Sequence, residues 1–262
     1  MMRGRIISRG ILILLLYVLV GAALPVSGQD GDGGNQVLQS ERMRALITPD
    51  GLVSVTDPLD RYKADIVSSR TPWGRVKVVY RTGDGAWVER PVTKPGVMTT
   101  DGSTVVLNSD DTGDPIHLIQ RFSLAGHALD YEIEIAASGD KEVEIGDLAL
   151  YLPWNITFGE NPDTIFEQSF TKHHFISGNG SFIYFTRPSG EPPYLMVLPA
   201  GGTGLEYFDG GRGGYKIYMH SAVAGNSVPS GTWRLLHTSV RVGGDSGRDT
   251  LNYRFRIAWA DS

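Results

Sequence analysis

The sequence predicts an all-β fold, a large antiparallel β-sandwich with at most one short helix. Three observations lead there. The nine residues Leu251-Asn-Tyr-Arg-Phe-Arg-Ile-Ala-Trp259 alternate without a fault, with Leu251, Tyr253, Phe255, Ile257 and Trp259 on one side and Asn252, Arg254, Arg256 and Ala258 on the other. Successive side chains of an extended strand point to opposite faces, so this is a long strand with one face buried and one wet. Turn signals then punctuate the chain at Pro49-Asp-Gly51, Gly83-Asp-Gly85, Asp101-Gly102, Ser138-Gly-Asp140 and Gly243-Gly-Asp245. Asp and Gly both tolerate positive φ, which hairpin turns require. Finally, strand-like runs follow one another with no β–α alternation, the pattern of antiparallel sheets packed face to face.

The N-terminus reads as an address. Arg3, Arg5 and Arg9 precede an apolar run over 11–24, and Val26-Ser27-Gly28 offers small residues for cleavage, so residues 1–28 are expected to be a signal peptide. A membrane span needs about 20 apolar residues, which makes this run short for a stable anchor; an uncleaved anchor is the alternative. The stretch Gln29-Asp-Gly-Asp-Gly-Gly-Asn35 has nothing to bury, and residues 29–40 are taken as a flexible leader to a single domain over 41–262. The expected location is secreted or periplasmic.

Removing residues 1–28, with three arginines and no acids, takes the formal net charge from −5 to −8. That surface argues against capture of nucleic acid. With no cysteine in the chain, disulfides, thiolate nucleophiles and cysteine-ligated metals are excluded. The core alone must hold the exported fold. At this size a domain buries roughly 70–75% of its unfolded surface, which is enough.

Strands are expected near 43–47, 52–56, 65–68, 75–80, 86–89 and 104–108, then near 116–124, 129–136, 142–143, 147–152, 182–186 and 194–198, and lastly near 204–208, 215–220, 232–236, 239–242 and 251–259. Tyr131, Ile133 and Ile135 point inward against an outward Glu132 and Glu134. Around Gly146 the apolar parity slips from Val143 and Ile145 to Leu148, Leu150 and Leu152, as a bulge would produce. One segment, Asn161-Pro-Asp-Thr-Ile-Phe-Glu-Gln168, has an asparagine cap, proline at the first helical position and an acid in the first turn; it predicts a helix of two turns at most.

No reaction centre is spelled out. His173 and His174 are neighbours, so on a strand they face opposite ways and do not share one ion; no metal and no cofactor is expected. Glu160, Asp163, Glu167, Glu191, Glu206 and Asp209 crowd one region, yet no spacing identifies a hydrolytic pair. Asp110-Asp111-Thr-Gly-Asp114 reads as a turn before Pro115. No Gly-x-Ser-x-Gly occurs, and the glycine-rich stretches at 200–204 and 209–214 lack the lysine of a phosphate loop. Aromatic residues are the remaining lead. Most belong to the core, but Trp154 follows a proline at a strand end, a loop-mouth setting. Sugar rings stack on aromatic faces, so Trp154, His173, His174 and Tyr207 are the candidate saccharide rim.

The stretches Tyr151-Leu-Pro-Trp-Asn155, Asn161 to Gln168, Phe170-Thr-Lys-His-His-Phe175 and Tyr194-Leu-Met-Val-Leu-Pro199 together resemble the galactose-mutarotase-like β-supersandwich. The likeness runs over about 41–259. More narrowly, it is to the N-terminal domain of large secreted glycoside hydrolases with a helical-hairpin barrel. The resemblance implies a non-catalytic domain that binds or positions saccharide or polysaccharide, beside a helical catalytic domain in longer relatives. The barrel acids of those relatives have no counterpart in this sequence, and the histidine and glutamate of stand-alone mutarotases are not matched by a motif. Two alternatives stay open. One is an epimerase or polysaccharide lyase, with His173 or Glu206 as base and Arg187 as a cationic neighbour; the other is a structural or adhesive surface domain.

Overall fold

The computed structural model describes residues 30–31, 34–67, 73–92, 97–109, 115–152, 154–155, 158, 161–177, 180–200, 203–209, 215–220 and 240–261. The signal peptide expected at 1–28, the turn expected at 110–114, the strand expected at 232–236 and most of the glycine-rich stretches lie outside these.

Three antiparallel sheets make up the described fold. The first has four strands in chain order: β1 (Asp30–Gly31), β2 (Asn35–Gln39), β3 (Arg44–Thr48) and β4 (Gly51–Thr56). Strands β5 (Arg75–Thr82) and β6 (Val88–Val92) open a second sheet, and β7 (Val97–Asp101), β8 (Thr104–Ser109), β9 (Ile116–Ala125) and β10 (Ala128–Ala137) begin a third. The chain returns to the second with β11 (Val143–Leu152) and makes the one described α-helix, α1 (Pro162–Gln168). It rejoins the third with β12 (Thr171–Ser177), β13 (Gly180–Thr186) and β14 (Tyr194–Ala200), and completes the second with β15 (Gly204–Asp209), β16 (Tyr215–His220) and β17 (Val240–Val242). The last strand, β18 (Thr250–Ala260), inserts between β14 and β10, giving the eight-stranded order β12-β13-β14-β18-β10-β9-β8-β7.

The pattern that opened the sequence reading holds to the residue. Along β18, Leu251, Tyr253, Phe255, Ile257 and Trp259 are buried, while Asn252, Arg254 and Arg256 are exposed. Tyr131 and Phe255 pair across β10 and β18 with ring centroids 4.8 Å apart, and Phe122 on β9 meets Tyr131 at 4.4 Å. These rings join Ala45 and Ile47 of the four-stranded sheet and Val76 and Val78 of the second in one apolar cluster. The slip at Gly146 is a bulge: β11 pairs with β5 in one register through Ile145 and in another from Asp147. A Cβ on Gly146 would lie 2.8 Å from the Trp87 ring, so only glycine lets that indole close over the bulge. Helix α1 begins at Pro162, directly after Asn161, whose carbonyl accepts from the amides of Thr164 and Ile165.

Other elements differ from the sequence reading. The span taken as a leader contains β2, whose Leu38 is buried; pairing with β3 supplies the burial that its short apolar pair does not advertise. Residues 65–67 of the strand expected at 65–68 form no ladder; residue 68 lies outside the described residues. The Asp65 carboxylate accepts from the amides of Val55 and Val67 at 3.0 Å, an alternative to a ladder, and leaves a single bridge from Val67 to Trp154. Strands β7 and β12 were not expected. Gly51 in the β3–β4 turn has φ +123°, and a Cβ there would meet the Trp73 carbonyl at 2.0 Å; the close approach allows Leu52 and Trp73 to exchange backbone hydrogen bonds.

Candidate functional site

The solvent-facing side of the eight-stranded sheet gathers most of the described chemistry. Residues that alternate with the core positions of β9, β10 and β18 fall on this side, and the register sets them in rows. Arg121, Glu132 and Arg254 stand directly opposite one another on the three strands, and Asp130 faces Arg256 two residues along. The Arg256 guanidinium donates from Nε to Asp130 Oδ1 at 2.6 Å and from Nη2 to Oδ2 at 2.7 Å. Arg254 donates to Glu132 Oε2 from Nη2 at 2.5 Å and from Nε at 3.1 Å. Arg121 Nη1 is shared between Glu134 at 2.8 Å and Glu132 at 3.3 Å. The hydrogen bonds that Arg256 donates to Asp130 hold it protonated beyond its already high ordinary range.

The same face continues across β14 and β13 to β12. Ala258, Met196, Tyr184 and His173 form one row over four strands. His173 lies flat on Tyr184, with centroids 4.5 Å apart and planes 16° from parallel, and its Nε2 is 2.9 Å from Thr186 Oγ1. An aromatic shelf at one end thus runs into a ladder of charged groups at the other.

Of the residues named from sequence, His173 lies on this face. Trp154 does not. Its indole is 8% exposed and packs against Trp73 at 4.3 Å and Phe185 at 4.6 Å. Phe185 belongs to the core side of β13 and Tyr184 to the wet side, so Trp154 and His173 sit on opposite sides of one sheet. Trp154 is a core residue with no free ring face for a sugar; the bridge to Val67 turns the expected loop mouth inward. His174 follows His173 on β12, its backbone opposite Ile183, and Tyr207 lies on β15 opposite Ile217.

Arg187, the cation suggested for a lyase, is buried. Its Nη2 donates to both oxygens of Asp60 at 3.0 and 2.9 Å, its Nη1 to the Pro192 carbonyl at 2.9 Å, and its plane lies 4.6 Å from the Phe170 ring centre. Asp60 also accepts from the amides of Tyr62 and Ala64. Nearby is a groove of about 390 Å³ lined by Arg42, Asp57, Asp60, Arg61, Glu191 and Asp261 among others. Its charges are largely matched within the protein: Arg42 reaches buried Asp57 from Nη2 at 2.6 Å and also grips Asp261, and Arg61 meets Glu191 at 2.6 Å. Among the described residues no three His, Asp or Glu side chains are grouped to hold a metal ion.

The two-residue alternation puts Glu132, Glu134, Arg254 and Arg256 on wet faces but does not make them a site. The missing signal was pairing: Arg254 and Glu132 are 122 residues apart, and only the strand register brings them together.

No family model and no curated protein matches this chain. Among solved structures, a galactose-mutarotase-like protein from Lactobacillus casei ATCC 334 superposes with a TM-score of 0.56 at 8% identity, over 87% of this chain and 100% of that one. The fold is galactose-mutarotase-like. A polysaccharide lyase superposes with a TM-score of 0.60 at 14% identity, over 84% of this chain and 32% of the lyase. This mutarotase-like sandwich therefore spans about a third of that lyase's length.

Proposed function

We propose that this chain is an exported, carbohydrate-associated domain that binds or positions saccharide on the wet face of its eight-stranded sheet. It resembles the non-catalytic front domain of a glycoside hydrolase and cleaves no bond by itself. The observation that carries the reading is the juxtaposition, on one solvent-facing surface, of the His173–Tyr184 shelf with the Arg254–Glu132–Arg121 ladder. Sugars present apolar ring faces and a fringe of hydroxyls. Stacked rings match the first, and guanidinium donors set beside carboxylate acceptors match the second. The fold shared with a polysaccharide lyase and a galactose-mutarotase-like protein supports a carbohydrate setting. Export rests on the three arginines and apolar run ahead of residue 28.

The test is retention on a glycan array and in polysaccharide-impregnated gels, comparing the wild type with His173→Ala and Tyr184→Ala. Loss of retention in both variants, with circular dichroism unchanged, is the expected result. Equal retention of the three proteins removes the shelf from the site.

The lyase's fold favours a second reading, in which the chain eliminates across a uronic-acid sugar. Such a step needs a base beside a cation that stabilises developing negative charge. Against it stands the burial of Arg187 on Asp60. Incubation with uronic-acid polymers while following unsaturated-product absorbance tests this reading, and a flat trace disposes of it.

A further inference from the structure

We infer, on the reading that this face binds saccharide, that it selects neutral sugars and rejects uronic-acid polymers, because its charges are already spent on one another. The three strands that carry the ladder contribute Arg121, Arg254 and Arg256 against Asp130, Glu132 and Glu134, three of each sign. The pairing is close throughout. Arg256 forks onto Asp130 at 2.6 and 2.7 Å, Arg254 holds Glu132, and Arg121 bridges Glu132 and Glu134.

A uronate carboxylate approaching this surface finds each guanidinium engaged by a protein carboxylate. To bind, it must strip water from itself and sit beside the protein carboxylate that already balances the same guanidinium. Each change is unfavourable. The body of the protein, at a formal −8 without residues 1–28, adds repulsion of polyanions at long range.

A neutral sugar meets none of these costs. A guanidinium has five N–H donors, so a forked Arg256 keeps roughly three for hydroxyl oxygens. The carboxylates keep outer lone pairs for hydroxyl hydrogens. Asn252 on β18 and Ser123, opposite Asp130 on β9, add uncharged partners within the same rows. Pre-paired charges are also stiff: Asp130 and Glu132 fix the long arginine side chains before a ligand arrives, which lowers the ordering cost of binding.

Affinity gel electrophoresis at low salt provides the test, with a neutral glucan and a neutral galactan in one set of gels and polygalacturonate and alginate in the other. The proteins are the wild type, Asp130→Asn and the double variant Asp130→Asn/Arg256→Gln, each checked by circular dichroism. The expected outcome is retention of the wild type by a neutral polymer and not by the uronates. Asp130→Asn, which releases Arg256, raises retention by the uronates relative to the neutral polymer by about tenfold or more, the scale of one charge-assisted hydrogen bond. The double variant loses that gain, which a structural effect of the first substitution would not produce. Uronate retention of the wild type equal to or above the neutral polymers overturns the inference while leaving the saccharide face intact, as does an Asp130→Asn protein whose preference does not move. Retention by no polymer overturns the saccharide face and the inference with it.

Discussion

Two arginine–aspartate pairs in this molecule join residues almost equally far apart in the chain and do opposite work. Asp60 and Arg187 are 127 residues apart, and Asp130 and Arg256 are 126 apart. The first pair is closed off, with side chains 1% and 0% exposed; the second lies at the surface, at 20% and 45%. Around Asp60–Arg187 the protein supplies additional partners, from the Pro192 carbonyl to the face of Phe170, so two desolvated charges are satisfied. Around Asp130–Arg256 part of each side chain is open to solvent, which leaves hydrogen-bonding capacity that a ligand can take. The same two functional groups are scaffold in one place and candidate binding surface in the other, and burial makes the difference.

That contrast breaks most sharply at Asp60. Asp60→Ala strands a guanidinium in the core and is expected to cost about 3–5 kcal/mol in urea unfolding, whereas Asp60→Leu/Arg187→Met, which removes both charges, recovers most of that loss. A cost below 1 kcal/mol for the single variant would put the buried pair on a level with the surface one. Next comes Asp57, fully buried against an Arg42 that is 12% exposed. Asp57→Ala removes charge-assisted bonds with a partner that still reaches water, and a loss of roughly 1.5–3 kcal/mol by the same measurement places it between the extremes. Asp130→Ala, at the surface, is expected to cost about 0.2–1 kcal/mol and to lose part of even that at high salt. Equality of the Asp130 and Asp60 variants would abolish the comparison.

The smallest effect is one of pH. Arg42 holds the exposed Asp261 carboxyl below the ordinary aspartate range. A carboxyl depressed in the folded state lends stability that is present above the unfolded pKa and is lost as pH falls through the folded value. Wild-type melting temperature therefore exceeds that of Asp261→Asn near neutrality, and the two curves converge below about pH 4. Curves that stay parallel through that window would show that Asp261 adds nothing by its charge.

Much of the fold was legible because local pattern and tertiary burial agree. The alternations of β9, β10 and β18, the parity slip at Gly146 and the short helix after Asn161 all survive in the structure. Where partners decide, the sequence was silent. Strand β12 reads Thr-Lys-His-His-Phe-Ile-Ser with no clean alternation, and it is a strand because β13 pairs along its length. Trp154 misled for the same reason: Pro153 before it suggested a loop mouth, but the ring is drawn inward by Trp73 and Phe185, which are remote in the chain. The charged ladder was half visible, its residues assigned to wet faces and its pairings hidden in the register.

The placement of β18 has a consequence for how the molecule comes into being. In the eight-stranded sheet, β7 to β10 form one ribbon and β12 to β14 another, and β18 is the piece that joins them. Until residues 250–260 emerge, β10 and β14 each present a bare backbone margin, and the rings of Phe255 and Trp259 are missing from the interior. Closure of this sheet therefore waits on β18, a long-range step that is slow by nature. Until residues 250–260 are available the two ribbons stay apart, and any agent that occupies those two margins early would hold them so.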